Sequence, residues 1–553
     1  MKPPRLRGAA LTAARVAAES PGTSSVLSGV LKQSLGLDRL GALPASARGA
    51  VPVDTTPLRG RADARALPDQ GLDEPKRSGW PRSSGEIAQA LAQGKVDATT
   101  LTDRVLAALT ALGDNRVLNV LAASDPKRSR FEAAESRVRH SEGRVKGALY
   151  GVPFLVKDEL DVAGLPTRCG SLCEPDEPKA EDATIVSRLA SRGAVFVGKT
   201  VMTEWGMSPL GQNPNFRMPH NAHHAERCPG GSSSGSAVAV ALGIVPFAIG
   251  TDGGGSVRIP AALNGVFGIK PTFGRVSRAT GGLGGTVGHA GPIASNAVDL
   301  ARFLDAVASE HDAREALTRV APPPPPGGFG ARVGAGVTKL KVGVPEREWE
   351  DADPVVAEAC RRALAALEKE GAELVPVRLP LASVSAPIGY LTIGCESFAS
   401  QAHHFRERRH KMGEDLRLSF AILSGISASE LIDAQRLRTA LRTETARVMA
   451  EVDVLALPTT ATAAPPLPVI DRGKAFADTA AIDAMCRFAF LGNLTGLPAG
   501  TAPVGVDGEG LPIGLQIMGD AWDEHVVIGV LAHLERIGVA SVPKPKSAID
   551  LLA

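Results

Sequence analysis

Two loops rich in glycine and serine, separated by one helix and one strand, restrict the fold of this chain more than any other feature. The first, at residues 229–234, precedes a helical stretch of small residues that runs to about Leu242. The second, Thr251-Asp-Gly-Gly-Gly-Ser256, follows an apolar strand at 246–250. Successive glycines allow backbone conformations closed to other residues and a close approach of the main chain to a ligand. Two such loops around a helix–strand unit predict an α/β fold with a ligand site at the loops.

Helices and strands alternate along most of the chain. Hydrophobic periodicity separates the two types, and Asp507-Gly-Glu-Gly510 has the composition of a hairpin turn. The alternation predicts one large α/β domain with a mixed, twisted β-sheet sandwiched between α-helices. The predicted helices lie at 84–93, 98–112, 126–140, 182–192 and 354–370, and the predicted strands at 151–156, 194–197, 246–250, 339–344, 373–377, 501–506 and 512–518.

The first 80 residues differ in composition from the rest. They are rich in Ala, Arg, Pro and Gly, with short apolar runs such as residues 26–37. We predict an N-terminal extension at 1–80, partly helical or flexible, followed by the large α/β domain at 81–550. Residues 321–330, APPPPPGGFG, favour polyproline II and predict a surface linker within that domain.

Composition excludes several classes of function. The chain has 553 residues and a formal net charge of only +2, with 61 basic and 59 acidic residues, which does not favour binding to nucleic acid. No run of 18 apolar residues occurs, so no segment is expected to span a membrane. The six cysteines lack the spacing of a metal site and are typical of reduced thiols in a cytoplasmic protein.

The second loop places a serine hydroxyl beside a series of backbone N–H groups, which is the requirement of acyl transfer. The hydroxyl of Ser256 can attack a carbonyl while the amides stabilise the oxyanion. A serine needs a base, and no histidine lies in either loop. Lys157 follows the apolar strand at 151–156, where burial would lower its pKa towards neutrality. These residues predict a serine–lysine acyl-transfer site.

Three segments of the sequence resemble the signature of the amidase signature family. They are Gly-Val-Pro-Phe-Leu-Val-Lys157-Asp, Pro-Gly-Gly-Ser232-Ser-Ser-Gly-Ser-Ala and Gly-Thr-Asp-Gly-Gly-Gly-Ser256-Val-Arg-Ile-Pro-Ala, in the order and close to the spacing of that family. The similarity continues at 268–274, 456–460, 493–498 and 510–519 and covers roughly residues 85–545. The resemblance implies an amidase that hydrolyses carboxamide C–N bonds of a small-molecule substrate and needs no metal or organic cofactor.

The resemblance also implies roles for individual residues. Ser256 would be the nucleophile that becomes acylated, and Lys157 the base. Ser232, which the family holds on a cis peptide bond, would carry protons between them. The N–H groups of the loop would form an oxyanion hole, and neighbouring residues would support it. The implied oxyanion-hole residues are Gly253, Gly254, Gly255 and Ser256, and the implied supporting residues are Ser233, Asp252 and Arg258.

Two departures from the commonest family pattern bear on the substrate. Ser234 and Gly253 stand where most members carry glycine and an aliphatic residue or threonine. Both variations resemble the branch that contains plant-type fatty acid amide hydrolases, which favours fatty acid amides and N-acylethanolamines. Two alternatives within the family remain: the A-type subunit of a glutamyl-tRNA amidotransferase, and an amidase for short-chain or aryl amides. An alternative from a different functional class is a non-catalytic scaffold or binding protein with the same fold.

Two further interpretations stay open. Residues 231–235 also match the G-x-S-x-G motif of α/β-hydrolases, with Ser233 as nucleophile, but that motif requires a strand immediately before it. The apolar turns among arginines in the N-terminal extension could make peripheral contact with a membrane and collect lipid substrates. A packing arm or a homodimer contact is the simpler interpretation of the same segment.

Overall fold

One mixed sheet of eleven strands runs through the molecule. The computed structural model describes residues 5–20, 22–47, 55–61, 80–114, 117–145, 147–282, 284–467 and 476–553. The strand order is β2-β4-β3-β5-β7-β6-β12-β13-β10-β8-β9, and β1 pairs separately with β11. The strands are β1 Arg5–Arg7, β2 Leu121–Ala123, β3 Pro153–Lys157, β4 Val195–Thr200, β5 Phe247–Asp252, β6 Phe267–Lys270, β7 His289–Ala294, β8 Lys341–Pro345, β9 Glu373–Val377, β10 Val454–Pro458, β11 Phe476–Asp478, β12 Ala499–Val506 and β13 Pro512–Gly519.

Helices flank this sheet. Ser83 and Glu86 form a capping box at the start of α4, and Pro354 opens α12 at a position where no amide donor is needed. The α-helices are α1 Gly8–Glu19, α2 Ser24–Ser34, α3 Asp38–Ala42, α4 Ser84–Ala92, α5 Ala98–Asp114, α6 Pro126–Ser141, α7 Thr184–Ser191, α8 Ser234–Ala241, α9 Arg258–Leu263, α10 Ala297–Val307, α11 Glu346–Glu350, α12 Pro354–Lys369, α13 Ser385–Glu407, α14 Glu414–Leu423, α15 Ala428–Met449, α16 Thr479–Cys486, α17 Phe490–Thr495 and α18 Glu524–Arg536.

The central strands are covered on both faces. Every residue of β3, β4, β5, β6 and β7 is buried, which explains why these strands read as nearly continuous apolar runs rather than alternating ones. The predicted fold class is therefore confirmed: a mixed sheet flanked by helices within a single α/β domain.

Strand pairing brings the two sequence motifs together at one edge of the sheet. β3 runs parallel to β5, with Phe154 opposite Phe247 and Val156 opposite Ile249. Parallel strands end at the same edge, and ligands of open α/β sheets bind outside these carboxyl ends. Lys157 closes β3 and Asp252 closes β5 there, and α8, which follows the first glycine/serine loop, packs on both strands.

The N-terminal helices pack on the body of the molecule. α1 and α2 lie against α14, and Leu11 and Ala18 are buried there with Leu418 and Ile422. Within the described ranges, no helix is both long enough and apolar enough to cross a membrane. The proline-rich segment lies mostly on the surface, but Phe329 at its end is fully buried.

Candidate active site

Lys157 lies at the centre of the predicted site, fully buried at the end of β3. Its Nζ donates to Ser232 Oγ at 2.7 Å and to Thr251 Oγ1 at 2.5 Å. Burial lowers the pKa of Lys157, and the carboxylate of Glu159, 3.2 Å from Nζ, opposes that shift. The amine therefore touches a serine hydroxyl in surroundings that favour its neutral, basic form.

Thr251 connects the lysine to a carboxylate. Its Oγ1 accepts a hydrogen bond from Lys157 and donates one to Glu159 Oε2. Because Glu159 is only 7% exposed, its charge acts on the lysine with little screening by solvent. Lys157, Thr251 and Glu159 thus form one buried, hydrogen-bonded unit beside Ser232.

Two other fully buried lysines show what distinguishes Lys157. Lys199 donates to the carbonyl of Pro166 and pairs with Asp158 at 2.7 Å. Lys270 donates to the carbonyls of Pro271 and Leu497. Neither contacts a serine hydroxyl among the described residues, so both lysines hold main-chain segments together.

Ser232 and Ser256 face the same cavity. The Gly231–Ser232 peptide bond is cis, as the family resemblance implies. Both serines line a cavity of about 80 Å³ that also contacts Glu159, Thr251 and Gly253. The side chains named by the sequence as nucleophile and proton carrier therefore share one cavity, with the lysine directly behind Ser232.

The loop that carries Ser256 is fixed by buried ionic groups. Arg258 donates from Nε to Asp252 Oδ2 at 3.0 Å and from Nη2 to Asp252 Oδ1 at 2.9 Å, and both residues are fully buried. Burial alone would raise the pKa of Asp252, but the guanidinium of Arg258 and the amide of Asn493 hold it below its usual range. Asp252 also accepts the N–H groups of Gly255 and Val257, at 2.7 and 3.1 Å.

The three loop glycines lie in close contact with neighbouring side chains. An added Cβ would approach Ile393 to 2.6 Å at Gly253 and Phe490 to 2.6 Å at Gly254. Gly255 has φ +116°, which a residue with a side chain rarely adopts. Its N–H donates to Asp252, whereas the amides of Gly253, Gly254 and Ser256 have no recorded partner among the described residues.

Ser233 has a structural environment. Its side chain is fully buried, and Oγ donates to the carbonyl of Thr251 at 3.2 Å, which joins the first loop to β5. It lines neither cavity at Ser256, and residues 229–233 before α8 are not a strand. The α/β-hydrolase interpretation therefore lacks both an exposed nucleophile and the strand that it requires.

A second cavity, of about 140 Å³, adjoins Ser256 on its other side. We call it the apolar cavity and the one shared by Ser232 and Ser256 the polar cavity. Gly206, Met207, Ser256 and Ile393 line both. The apolar cavity is further lined by Leu35, Leu37, Tyr390, Ile422, Ile426 and Phe490, whereas the polar cavity is lined by Glu159, Thr251, Glu396, Ser397, Ser400 and Gln401.

The sequence that carries this site matches a known protein family. The model of the Amidase family matches residues 103–528. The chain belongs to the amidase signature family. It is therefore a hydrolase that acts on amide C–N bonds.

Relatives of this amidase include enzymes with different partners and substrates. A fatty acid amide hydrolase of Arabidopsis thaliana is 35% identical over 427 residues, which is 76% of this chain and 70% of that protein. The A-type subunit of the glutamyl-tRNA(Gln) amidotransferase of Chloroflexus aurantiacus is 33% identical over 489 residues, 83% of this chain and 97% of the relative. The solved structure of a bacterial aryl acylamidase is 25% identical, with a TM-score of 0.73 over 82% of this chain and 96% of that one.

In the amidase fold, the three residues to which the sequence assigns catalytic roles lie beside two others, Glu159 and Thr251, to which it assigns none. Ser232 and Ser256 line the polar cavity, and Lys157 contacts Ser232 from outside it. Sequence reasoning missed the contacts of Glu159 and Thr251 with the lysine. A weak signal existed, because Glu159 follows Lys157 by two residues and Thr251 lies inside the second loop motif.

Proposed function

We propose that Ser256, Ser232 and Lys157 form the catalytic triad of this amidase. Neutral Lys157 takes the proton of Ser232 as Ser232 takes that of Ser256, and Ser256 Oγ bonds to the amide carbon. The tetrahedral intermediate then collapses, the C–N bond breaks, and the same proton returns through Ser232 to the leaving nitrogen. Water releases the acyl group from Ser256 by the same proton transfers. The observation that carries the proposal is the 2.7 Å contact between Lys157 Nζ and Ser232 Oγ in a fully buried environment.

We assign the oxyanion hole to the amides of Gly253, Gly254 and Ser256. These groups have no other recorded partner among the described residues and lie where the two cavities meet. Preorganised N–H donors at such a position stabilise the negative charge of the intermediate. Gly255 donates to Asp252 instead, so we give it a conformational role and revise the expectation for that residue.

The contacts of Ser233, Asp252 and Arg258 support the structural roles expected of them. Arg258 and Asp252 fix the second loop, and Ser233 fixes the first loop on β5. We propose that these three residues hold the triad in register and do not contact the substrate.

The apolar cavity supports an apolar acyl group as the substrate class, and we propose fatty acid amides. The cavity adjoins Ser256, and most of its lining side chains are aliphatic or aromatic. A concave apolar site beside the nucleophile is suited to binding the hydrocarbon part of a substrate. The similarity to plant fatty acid amide hydrolases points the same way. Leu35 and Leu37 of the N-terminal segment close one side of the cavity, so a long chain would extend past them.

The size of the apolar cavity favours one second candidate, an amidase for short-chain or aryl amides. A dry cavity of about 150 Å³ holds a molecule the size of benzene. The apolar cavity has about 140 Å³, so an aryl or short acyl group fits without movement of its walls.

Hydrolysis of an amide series by the purified chain tests these proposals. The series extends from acetyl and benzoyl amides to hexadecanoyl amides of one amine, with Ser256→Ala as the blank. We expect kcat/KM to rise with acyl length. A maximum at benzoyl or hexanoyl amides would assign the second candidate. Absence of turnover without added partner subunits would instead support an amidotransferase subunit.

We also propose that the N-terminal helices contact a membrane surface. Val26 and Val30 lie four residues apart on one face of α2 and are 71% and 46% exposed. The same segment continues to Leu35 and Leu37 at the apolar cavity, so a docked helix would place the cavity near the lipid. Val26→Ser with Val30→Ser should abolish co-sedimentation with anionic liposomes. Unchanged co-sedimentation would reject the proposal, and a loss of self-association instead would assign the face to a homodimer.

A further inference from the structure

We propose that the polar cavity binds the leaving amine, and that Glu396 selects amines that are cationic or carry hydrogen-bond donors over anionic ones. The inference rests on the proposed function, which places Ser256 as nucleophile between two cavities. An amide has its acyl group on one side of the scissile bond and its amine on the other. If the apolar cavity takes the acyl group, the amine must lie in the polar cavity, which Ser256 also lines.

The charged side chains that line the polar cavity are all negative. Among the described residues that line it, only Glu159 and Glu396 are charged, and both are acids. Glu159 is engaged with Lys157 and Thr251 behind Ser232. Glu396, on α13, is the acid that an amine substituent can reach without displacing the catalytic lysine.

Glu396 is held in place but keeps acceptor capacity. Its Oε2 accepts from the N–H of Thr286 at 3.0 Å, and its Oε1 accepts from Thr286 Oγ1 at 2.6 Å. A carboxylate has about four acceptor positions, so about two remain for a ligand. Arg438 donates to Thr286 Oγ1 and to the Thr286 carbonyl, at 2.6 and 2.8 Å. Arg438 does not line the cavity. Burial lowers the pKa of Arg438 and the negative charge of Glu396 opposes that shift, so the two side chains also interact electrostatically.

Two other features favour a ligand with donors. Gln401 Oε1 is buried without a hydrogen-bond partner among the described residues, and Gln401 lines the polar cavity. A buried acceptor of this kind is costly unless a ligand supplies a donor. Gly285, at φ +76°, lies against Glu396, and a side chain there would occupy the position of the carboxylate. The glycine thus leaves Glu396 open to the cavity.

The volume limits the size of the amine. The polar cavity has about 80 Å³, roughly half the volume of a cavity that holds benzene, about 150 Å³. It therefore suits a small amine such as an ethylamine unit with one terminal polar group. Small amines that end in a hydroxyl or an ammonium group fit both the volume and the acceptors, whereas a terminal carboxylate would face Glu396 with no cation in the lining to pair with.

Four amides of dodecanoic acid test the inference, because they share one acyl chain. Their amines are 1,2-diaminoethane, ethanolamine, propylamine and glycine. For the wild-type enzyme we expect kcat/KM to fall in that order, with the diamine derivative above the glycine derivative by at least about tenfold, because the charges interact in a partly dehydrated site. Glu396→Gln keeps the size of the side chain and one oxygen that can accept from Thr286, but it removes the charge and the second acceptor oxygen. In this variant the ratio of diamine to glycine derivative should fall to near one.

Glu407→Gln is the matched control. It removes one carboxylate from the exposed end of the same helix, eleven residues and about 16 Å away, beyond the screening length at physiological salt. This variant should keep the wild-type ratio. If the wild-type enzyme cleaves all four amides at equal rates, or if Glu396→Gln leaves the ratio unchanged, the inference is wrong although the amidase activity stands. If none of the four amides nor the acyl series is cleaved, the proposed function itself fails.

Discussion

At the residue scale, the protonation state of Lys157 decides when the proposed triad can act. Burial favours the neutral amine, and Glu159 at 3.2 Å favours the ammonium. The base is available only after Lys157 loses its proton, so kcat/KM should rise with pH through the pKa of this lysine. We therefore expect the carboxylate of Glu159 to set the pH at which kcat/KM begins to fall on the acidic side.

Glu159→Gln should move that limb to lower pH. The variant keeps an oxygen that accepts from Thr251 but removes the charge that stabilises the ammonium. The pKa of Lys157 should fall further, and the acidic limb of kcat/KM should shift by about one unit, the smaller end of the effect of a close opposite charge. A uniform loss of activity with the limb in its original place would show that Glu159 has only a structural role.

Ser256→Ala should abolish turnover without unfolding the protein. The nucleophile is lost, and removal of such a serine costs a hydrolase about 10⁴-fold or more in kcat. Ser234→Ala is the matched control, because among the described residues Ser234 Oγ bonds only to the carbonyl of Gly230 in the first loop, at 2.6 Å. The control should lose about 1 kcal/mol of stability and retain turnover. Comparable activity of Ser256→Ala and the wild type would refute the triad.

At the element scale, the sequence predicts the strands and helices around the motifs but not the helices that complete the cavities. The strand predicted at 194–197 is observed as Val195–Thr200, and the strand predicted at 373–377 has the same bounds in the structure. Gly193 and Gly371 precede the two strands, but the first strand continues through Gly198, where the prediction ended it. In α15, by contrast, Arg438 and Arg442 are buried, which obscures the apolar stripe that identifies a helix.

Pairing between distant elements is also invisible in the sequence. Thr251 contacts Lys157 only because β5 lies parallel to β3 in one register, and no local pattern specifies that neighbour. The same holds for the apolar cavity, whose lining residues come mainly from the N-terminal segment, α13, α14, α16 and α17. The motifs therefore name the residues of the proposed triad, while the contacts around these residues and the shape of the cavities depend on tertiary packing. The division of the chain near residue 80 stays a prediction.

Leu37→Ala should change the preference for acyl length. Leu37 lines the apolar cavity from the segment after α2, so its truncation lengthens the space open to an acyl chain. We expect kcat/KM for hexadecanoyl amides to rise severalfold relative to hexanoyl amides. Leu58→Ala, at a 41% exposed leucine outside both cavities, should leave this ratio unchanged. A ratio that is the same in both variants would show that the acyl chain does not pass Leu37.

At the scale of the whole molecule, residues 59–61 fasten the N-terminal segment to the sheet through buried acids. Arg61 donates to Asp453 at 2.5 Å and to Asp523 at 3.1 Å. The amides of Gly60 and Arg61 bind Asp520 at 2.9 and 3.0 Å. These acids flank β10 and β13, so their partners on the N-terminal segment tie its position to the core of the sheet.

Arg61→Ala should destabilise the protein in a manner that depends on pH. Burial raises the pKa of Asp523 to about 6 even though Arg59 and Arg61 oppose the shift. The charged form therefore costs the folded state stability above that pH, and the cost grows when Arg61 is removed. We expect a loss of about 3 kcal/mol at pH 8, as for a buried pair that loses one partner, and a smaller loss at pH 5, where protonation of Asp523 relieves the cost. Thermal unfolding at both pH values measures this loss of stability. Arg144→Ala, which removes one partner of an exposed ion pair, is the control. Equal losses at pH 5 and pH 8 would mean that Arg61 stabilises the fold by packing rather than by charge.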